Sequence, residues 1–144
     1  VKSIKEFIDA IRLRVDVFIK EQHCEPGWEP DEEDKFSKHY IALVDNKIVG
    51  TARVRRINRG DLKIERMAID KAYRGKGIGK DFIIYIVNQV KKLKAKRVWI
   101  QAQVQAQVFY EKCNFYATSK SYNLYGIQHI DMELIPLDTS KVQA

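Results

Sequence analysis

The stretch Ala72–Phe82, AYRGKGIGKDF, sets three glycines at alternate positions, Gly75, Gly77 and Gly79, among Arg74, Lys76 and Lys80. From Ile78 onward, Phe82, Ile83, Ile86, Val87, Val90 and Leu93 fall on one face at helical spacing, with Lys80, Asp81, Asn88, Lys91 and Lys92 on the other. The spacing predicts a helix that rises out of the glycines and ends near Lys94. Leu62–Ile69 (LKIERMAI) reads as the strand before the loop, and Arg97–Ala102 (RVWIQA) as a short buried strand after the helix. Strand, loop, helix and strand make a βαβ unit, which requires at least one parallel pairing.

Outward from this unit the pattern changes. Ile4, Phe7, Ile8, Ile11, Val15 and Phe18 recur at spacings of three and four, so Ser3 caps an amphipathic helix running to about Phe18, with Glu6 completing a capping box. His39–Val44 and Ile48–Ile57 are β-branched runs joined by Asp45-Asn46-Lys47, a hairpin, and Asn58-Arg59-Gly60-Asp61 turns the chain into Leu62–Ile69, the third strand of a meander. Val104–Lys112 reads as a short helix, and Phe115–Tyr122 and Gln128–Ile135 as closing strands around Asn123–Gly126. Strands outnumber helices, and the sheet must be mixed.

The chain has 144 residues, 45% of them hydrophobic, enough for one domain spanning 1–144 with its own core. No run approaches the roughly 20 apolar residues that cross a bilayer, and the charged first segment is no secretory h-region, so no membrane association and a cytoplasmic location are expected. Cys24 and Cys113 fit no metal-ligand spacing, so reduced thiols and no metal are expected. The net charge of +7 is uneven: residues 21–34, EQHCEPGWEPDEED, hold seven acids and no Lys or Arg, leaving 26 basic against 12 acidic residues elsewhere. A basic remainder suits a polyphosphate ligand and an acidic loop suits a cationic one; both also suit ordinary solvated surface. Without an aromatic-studded basic stripe or a recognition-helix signature, a nucleic-acid partner is disfavoured.

The glycine loop fails two phosphate-binding patterns. A Walker A loop would need glycine at Arg74 and a hydroxyl at Asp81, and the dinucleotide fingerprint would need glycine at Lys80. What survives is the physics those sites share, backbone amides converging on an anion at a helix N-terminus, or else a tight turn with no ligand.

The stretch Glu65–Phe82 closely resembles the acetyl-coenzyme A segment of the GCN5-related N-acetyltransferases (GNAT), whose Arg/Gln-x-x-Gly-x-Gly/Ala signature is met by Arg74 to Gly79. A second signature of that superfamily appears as Phe109-Tyr110-Glu111-Lys112-Cys113-Asn114-Phe115, with Asn114 in place of glycine, the non-glycine residue that best tolerates a left-handed backbone. Val17–Gln22, Glu29, Asp31, Asp34, His39, Ala102-Gln103 and Gly126–His129 narrow the resemblance to an ElaA/YjcF-like branch. Gln128 and Glu25 stand where that branch carries prolines.

The resemblance implies a mixed α/β fold, a mostly antiparallel twisted sheet flanked by helices around a βαβ acetyl-CoA-binding core. It also implies an acetyl-CoA-dependent N-acetyltransferase acting on a small-molecule primary amine by direct attack, as a monomer or homodimer. The alternatives are a coenzyme A-binding module without turnover and a basic nucleic-acid binder. Met67, Ala68, Ile69, Arg74, Gly75, Lys76, Gly77, Ile78, Gly79, Lys80, Phe109 and Tyr110 would hold the cofactor, with main-chain groups of Met67 and Ile69 pairing with its pantetheine arm. Tyr110 matches the family's general acid toward the departing thiolate. Glu65 is the first candidate base, because in a regular strand it shares a face with Met67 and Ile69, although it equally suits an ion pair with arginine. His39, His129 or a relayed water are the other candidates. Glu21, Gln22, Trp28, Glu29, His39 and His129 are expected on the acceptor side, while Arg12, Arg14, Arg53 and Arg55 would suit an anionic group on the acceptor.

Overall fold

The computed structural model describes residues 1–24, 29–58 and 60–136. They cluster into two compact units, the first ending at Val98 and the second starting at Trp99, inside one strand. Seven strands form among the described residues, and the pairings inside either unit are antiparallel.

In the first unit, α1 (Ile4–Arg14) starts at Ser3, whose Oγ accepts the Glu6 N–H at 3.1 Å. The Glu6 carboxylate accepts the Lys2 N–H at 2.6 Å, one residue earlier than the expected capping box. The helix does not stop at Phe18: it widens into a π-helical turn, Val15–Glu21, in which the Gln22 N–H donates to the Val17 carbonyl. A capping box between Asp31 and Asp34 opens the 3₁₀ turn Glu32–Phe36. The meander follows as β1 (Lys38–Val44), β2 (Lys47–Ile57) and β3 (Asp61–Ile69). Asp45 and Asn46 both have positive φ, as a two-residue hairpin turn requires. The helix α2 (Ile78–Lys91) buries Phe82, Ile83, Ile86, Val87 and Val90 as the spacing predicts, while Leu93 lies beyond its end and is exposed. The Gly60 carbonyl accepts the Lys96 N–H, so β3 and β4 (Arg97–Gln103) set out from the same point.

The strand β3 is not regular. Arg53 pairs with Glu65 and Thr51 with Ala68, so Ala52 faces two residues, Arg66 and Met67, and Arg66 has φ 56°. This is a β-bulge, and it resets the alternation of faces. Before it, Glu65 faces the α1 side with Arg53. After it, Ala68 packs with Leu13 and Val17 on that same side. Ile69 faces the other way: a Cβ added to Gly50 would lie 2.9 Å from Ile69 Cδ1 and 3.4 Å from Phe82 Cδ2 on α2. The expected shared face of Glu65 and Ile69 is therefore corrected.

In the second unit, β7 (Ile127–Leu134) pairs with β4 along one edge and with β5 (Phe115–Ala117) and β6 (Tyr122–Leu124) along the other. The single strand expected over Phe115–Tyr122 is broken because Asp131 diverts the chain: its carbonyl accepts the Thr118 N–H and its N–H donates to Ser119 Oγ. The short helix α3 (Gln107–Glu111) precedes Asn114, which takes the left-handed backbone expected of it, φ 69°.

Candidate active site

Asp70 follows β3 and caps the 3₁₀ turn Lys71–Tyr73 by accepting the Ala72 N–H at 3.0 Å. The chain then enters the glycine loop. Gly75 and Gly77 have φ of 76° and 82°, and a Cβ added to either would meet nothing within 4 Å. Glycine is needed there for its backbone, not for lack of room, and the space in front of the loop is open. Gly77 occupies the N-cap of α2 with no side-chain cap bond, so the first-turn amides of Ile78, Gly79 and Lys80 are left for an outside acceptor. Lys76 Nζ and Lys47 Nζ each lie 5.4 Å from the centre of the Tyr73 ring. Arg74 donates Nε–H to the Ile69 carbonyl at 2.9 Å and pairs in bidentate fashion with Glu21, at 2.5 and 2.8 Å. These Arg74 hydrogen bonds hold the Glu21 carboxyl below its ordinary range.

The acidic segment has a different role from the one its charge suggests. Arg14 pairs with Glu29 and Asp34, Arg53 with Asp31 and Asp34, and Arg66 with Glu29 and Asp31. Three arginines and three carboxylates thus alternate in a closed ring, with the Arg14 and Arg53 side chains 1% and 2% exposed. Glu65 extends it, bonded to Arg53 and to Arg55 Nε at 2.6 Å, with Lys63 Nζ at 3.3 Å. The acids are the counter-ions of arginines on α1, β2 and β3, so Glu29, Asp31 and Asp34 are not free to receive a cationic acceptor. Arg14, Arg53 and Arg55 are likewise not free for an anionic one, while Arg12 lies exposed on α1. Sequence reasoning missed this ring and Arg66 within it. Its one legible signal is Arg14, which falls three residues after Ile11 and four after Ala10, on the apolar stripe of α1.

Glu65 is held as an ion-paired carboxylate. Burial would raise its pKa, but hydrogen bonds from Arg55 and the charges of Arg53 and Lys63 bring it down to about 2. Asp34, also buried, is brought to about 2 by Arg14, the Asp31 N–H and Arg53. Groups lowered in this way stabilise the fold above their unfolded pKa values, and that contribution is lost as pH falls through the folded ones. From the ordinary values of 4.5 and 3.8 the two together are worth on the order of 5 kcal/mol. Glu29, raised by burial against Arg14 and Arg66, works in the opposite sense and offsets part of it. The urea midpoint is therefore expected to be flat above about pH 5 and to fall steeply from there toward pH 2. A midpoint unchanged at pH 3 would contradict the ring.

Tyr110 and His129 belong to the second unit, on opposite faces of its sheet. Tyr110 is buried, edge-on to Phe109 and to Phe115 with centroids 5.0 and 5.8 Å away. Phe115 pairs with Leu134, which shares its face with Met132 and Ile130. Burial, with Cys113 nearby, pushes the Tyr110 hydroxyl well above its ordinary pKa. His129 pairs with Gln103 and Tyr122 and alternates to the other face with Asp131. Its ring stacks on Tyr122 at 6.3 Å, and Nδ1 lies 2.8 Å from the Ile127 carbonyl. That carbonyl can only accept, so Nδ1 carries a proton in this contact. Tyr122 is fixed by a 2.5 Å bond to Asp131, and burial together with this bond raises its pKa to about 12.

The other expected residues scatter. Trp28 lies outside the described residues. Ala68 is buried toward α1, so only its main chain is offered to a ligand. His39 donates from Nε2 to the Asp34 carbonyl at 3.0 Å and packs edge-on against Phe7. Burial lowers its pKa. A groove of about 590 Å³ lined by Phe7, Ile8, Ile11, Arg12, Val15 and Pro30 runs along α1, and of the residues named for the site it takes in Arg12. No helix among the described residues is long and apolar enough to cross a membrane.

The fold that carries this open amide cradle is shared with acyl-CoA N-acyltransferases. The chain superimposes with TM-score 0.83 on an acyl-CoA N-acyltransferase from Pseudomonas aeruginosa, at 28% identity, and with TM-score 0.83 on Escherichia coli ElaA, at 25%, each over 92% of both chains. It is 31% identical to YjcF of Bacillus subtilis, an uncharacterized N-acetyltransferase, over 91% of this chain and 94% of that protein. Residues 7–136 match the acetyltransferase (GNAT) domain model, and the chain belongs to that family, in the branch that includes YjcF and ElaA.

Proposed function

We propose that this protein is an acetyl-CoA-dependent N-acetyltransferase acting on a primary amine of a small molecule. The observation that carries the reading is the open cradle of Gly75 and Gly77 leading into the uncapped first turn of α2. The donor set suits a pyrophosphate: backbone amides at a helix start, with Arg74, Lys76 and Lys80 alongside. Structures of related fold, a streptothricin acetyltransferase family protein from Bacillus anthracis and a GNAT acetyltransferase from Elizabethkingia anophelis, hold acetyl-CoA. When bound, this co-substrate supplies an acetyl group already activated as a thioester.

The chain's own groups then do the rest. The main chain of Met67 and Ile69 would hold the pantetheine arm like an added strand, and the Ile69 amide would supply a donor to the thioester oxygen. A neutral amine forms the C–N bond as the C–S bond breaks. The amine proton passes to water, and Tyr110, which matches the family's general acid, would donate a hydrogen bond to the sulfur as charge builds there. A water is preferred as proton carrier over Glu65, whose oxygens are held by cations, and over His39, whose side chain is 9% exposed.

The test is a panel of amines with acetyl-CoA, read as thiol release, beside calorimetric binding of the cofactor to Gly77→Asp and Gly77→Ala. Both substitutions carry the strain of a positive φ, but only Asp adds a charge in the open space before the loop. Gly77→Asp is expected to bind acetyl-CoA about tenfold or more weaker than Gly77→Ala. Equal binding by the two would remove the phosphate role of the loop. Binding with no thiol release from any amine would favour a coenzyme A-binding module without turnover.

A further inference from the structure

Arg74 differs from the other arginines near it. Arg14 and Arg53 are buried, and each meets at least two carboxylates. Arg74 meets one, Glu21, and the two side chains are 38% and 31% exposed. The pair joins two elements: Arg74 opens the glycine loop, and Glu21 is the last residue of the π-helical turn that continues α1. The other charges acting on the pair are Lys71 on Glu21 and Asp70 on Arg74, both from the turn before the loop. Exposed ion pairs are weakly held, and the guanidinium fork that fits a carboxylate fits a phosphate equally well.

A pyrophosphate seated on the loop amides would therefore compete with Glu21 for the same donors. The Nε–H anchor to the Ile69 carbonyl leaves both terminal nitrogens of Arg74, now on Glu21, for the exchange. We infer that Arg74 exchanges Glu21 for the cofactor's pyrophosphate, and that the released Glu21 carboxylate binds a second, cationic group on the acceptor amine. The inference rests on the cofactor placement proposed above and adds an acceptor class to it: a diamine, or an amine with another fixed positive charge. The ring acids cannot fill that role, since each is already bound to arginine. Cofactor and acceptor then favour each other through one side chain, and the coupling must be reciprocal.

The test is calorimetric titration of coenzyme A into the wild type, Glu21→Gln, Arg74→Ala and the double variant, followed by titration of 1,5-diaminopentane and pentylamine into the coenzyme A-loaded proteins. Glu21→Gln removes the internal competitor and is expected to tighten coenzyme A binding about threefold or more, with no such gain on the Arg74→Ala background. The loaded wild type is expected to bind the diamine at least about fivefold tighter than pentylamine, a preference lost in Glu21→Gln. Unchanged or weaker coenzyme A binding by Glu21→Gln would show a fixed brace and overturn the exchange. Equal or absent binding of the two amines would overturn the acceptor class. A wild type that does not bind coenzyme A would instead sink the cofactor placement itself, so the two failures are distinguishable.

Discussion

Arg53→Met is expected to lower the unfolding free energy by about 3–5 kcal/mol, the largest stability loss of any single change in the charged ring. Arg53 bonds Asp31, Asp34 and Glu65 at once, from a side chain 2% exposed. Methionine matches much of its length and apolar bulk, so the loss reports missing charge compensation more than a cavity. After the change each of the three carboxylates keeps one cation or more, Arg66, Arg14, and Arg55 with Lys63 respectively. Adding Glu65→Gln to Arg53→Met should not recover the loss, because Arg55 and Lys63 would then lose this carboxylate as a partner. Urea unfolding of the two singles and the double variant measures this. A cost below about 1 kcal/mol for Arg53→Met would mean that the ring is open to water in solution.

Tyr110→Phe is expected to reduce kcat about 10- to 100-fold with little change in the KM for acetyl-CoA. The size follows from what Tyr110 can do. Full proton transfer from a phenol at about 10 to a thiolate at about 8.5 is already uphill, and burial pushes the Tyr110 hydroxyl higher still. The group is left as a hydrogen-bond donor to developing charge, worth a charged hydrogen bond and not a full acid's contribution. The alkaline limb of the rate profile should therefore not move on mutation. A Tyr110→Phe enzyme at full rate would reduce the residue to core packing against Phe115.

Much of this was legible in the sequence where one periodicity ran unbroken. The α2 stripe, the two-residue hairpin turn at Asp45-Asn46 and the left-handed Asn114 all follow from local rules that no distant contact overrides. Counting in twos gives Glu65 the wrong face, because one extra residue opposite Ala52 breaks the count. The acidic segment was misread for a related reason. Charge along a chain does not say which arginines it will meet, and the partners of Glu29, Asp31 and Asp34 come from α1, β2 and β3. The break between β5 and β6 needed the position of Asp131, which no local pattern supplies.

The bulge at Arg66 also limits how this strand can be altered. It acts as a phase change, so the two halves of β3 answer to different neighbours: the first carries Glu65 into the arginines, and the second presents Ile69 to Phe82. Either half can be re-engineered by substitution without reference to the other. Length is another matter. Deleting Arg66 would restore strict alternation, turning Ile69 toward the arginines or Glu65 toward the apolar face of α2, with a charge or a hydrophobe on the wrong side in either case. This strand therefore tolerates changes of spelling far better than changes of spacing.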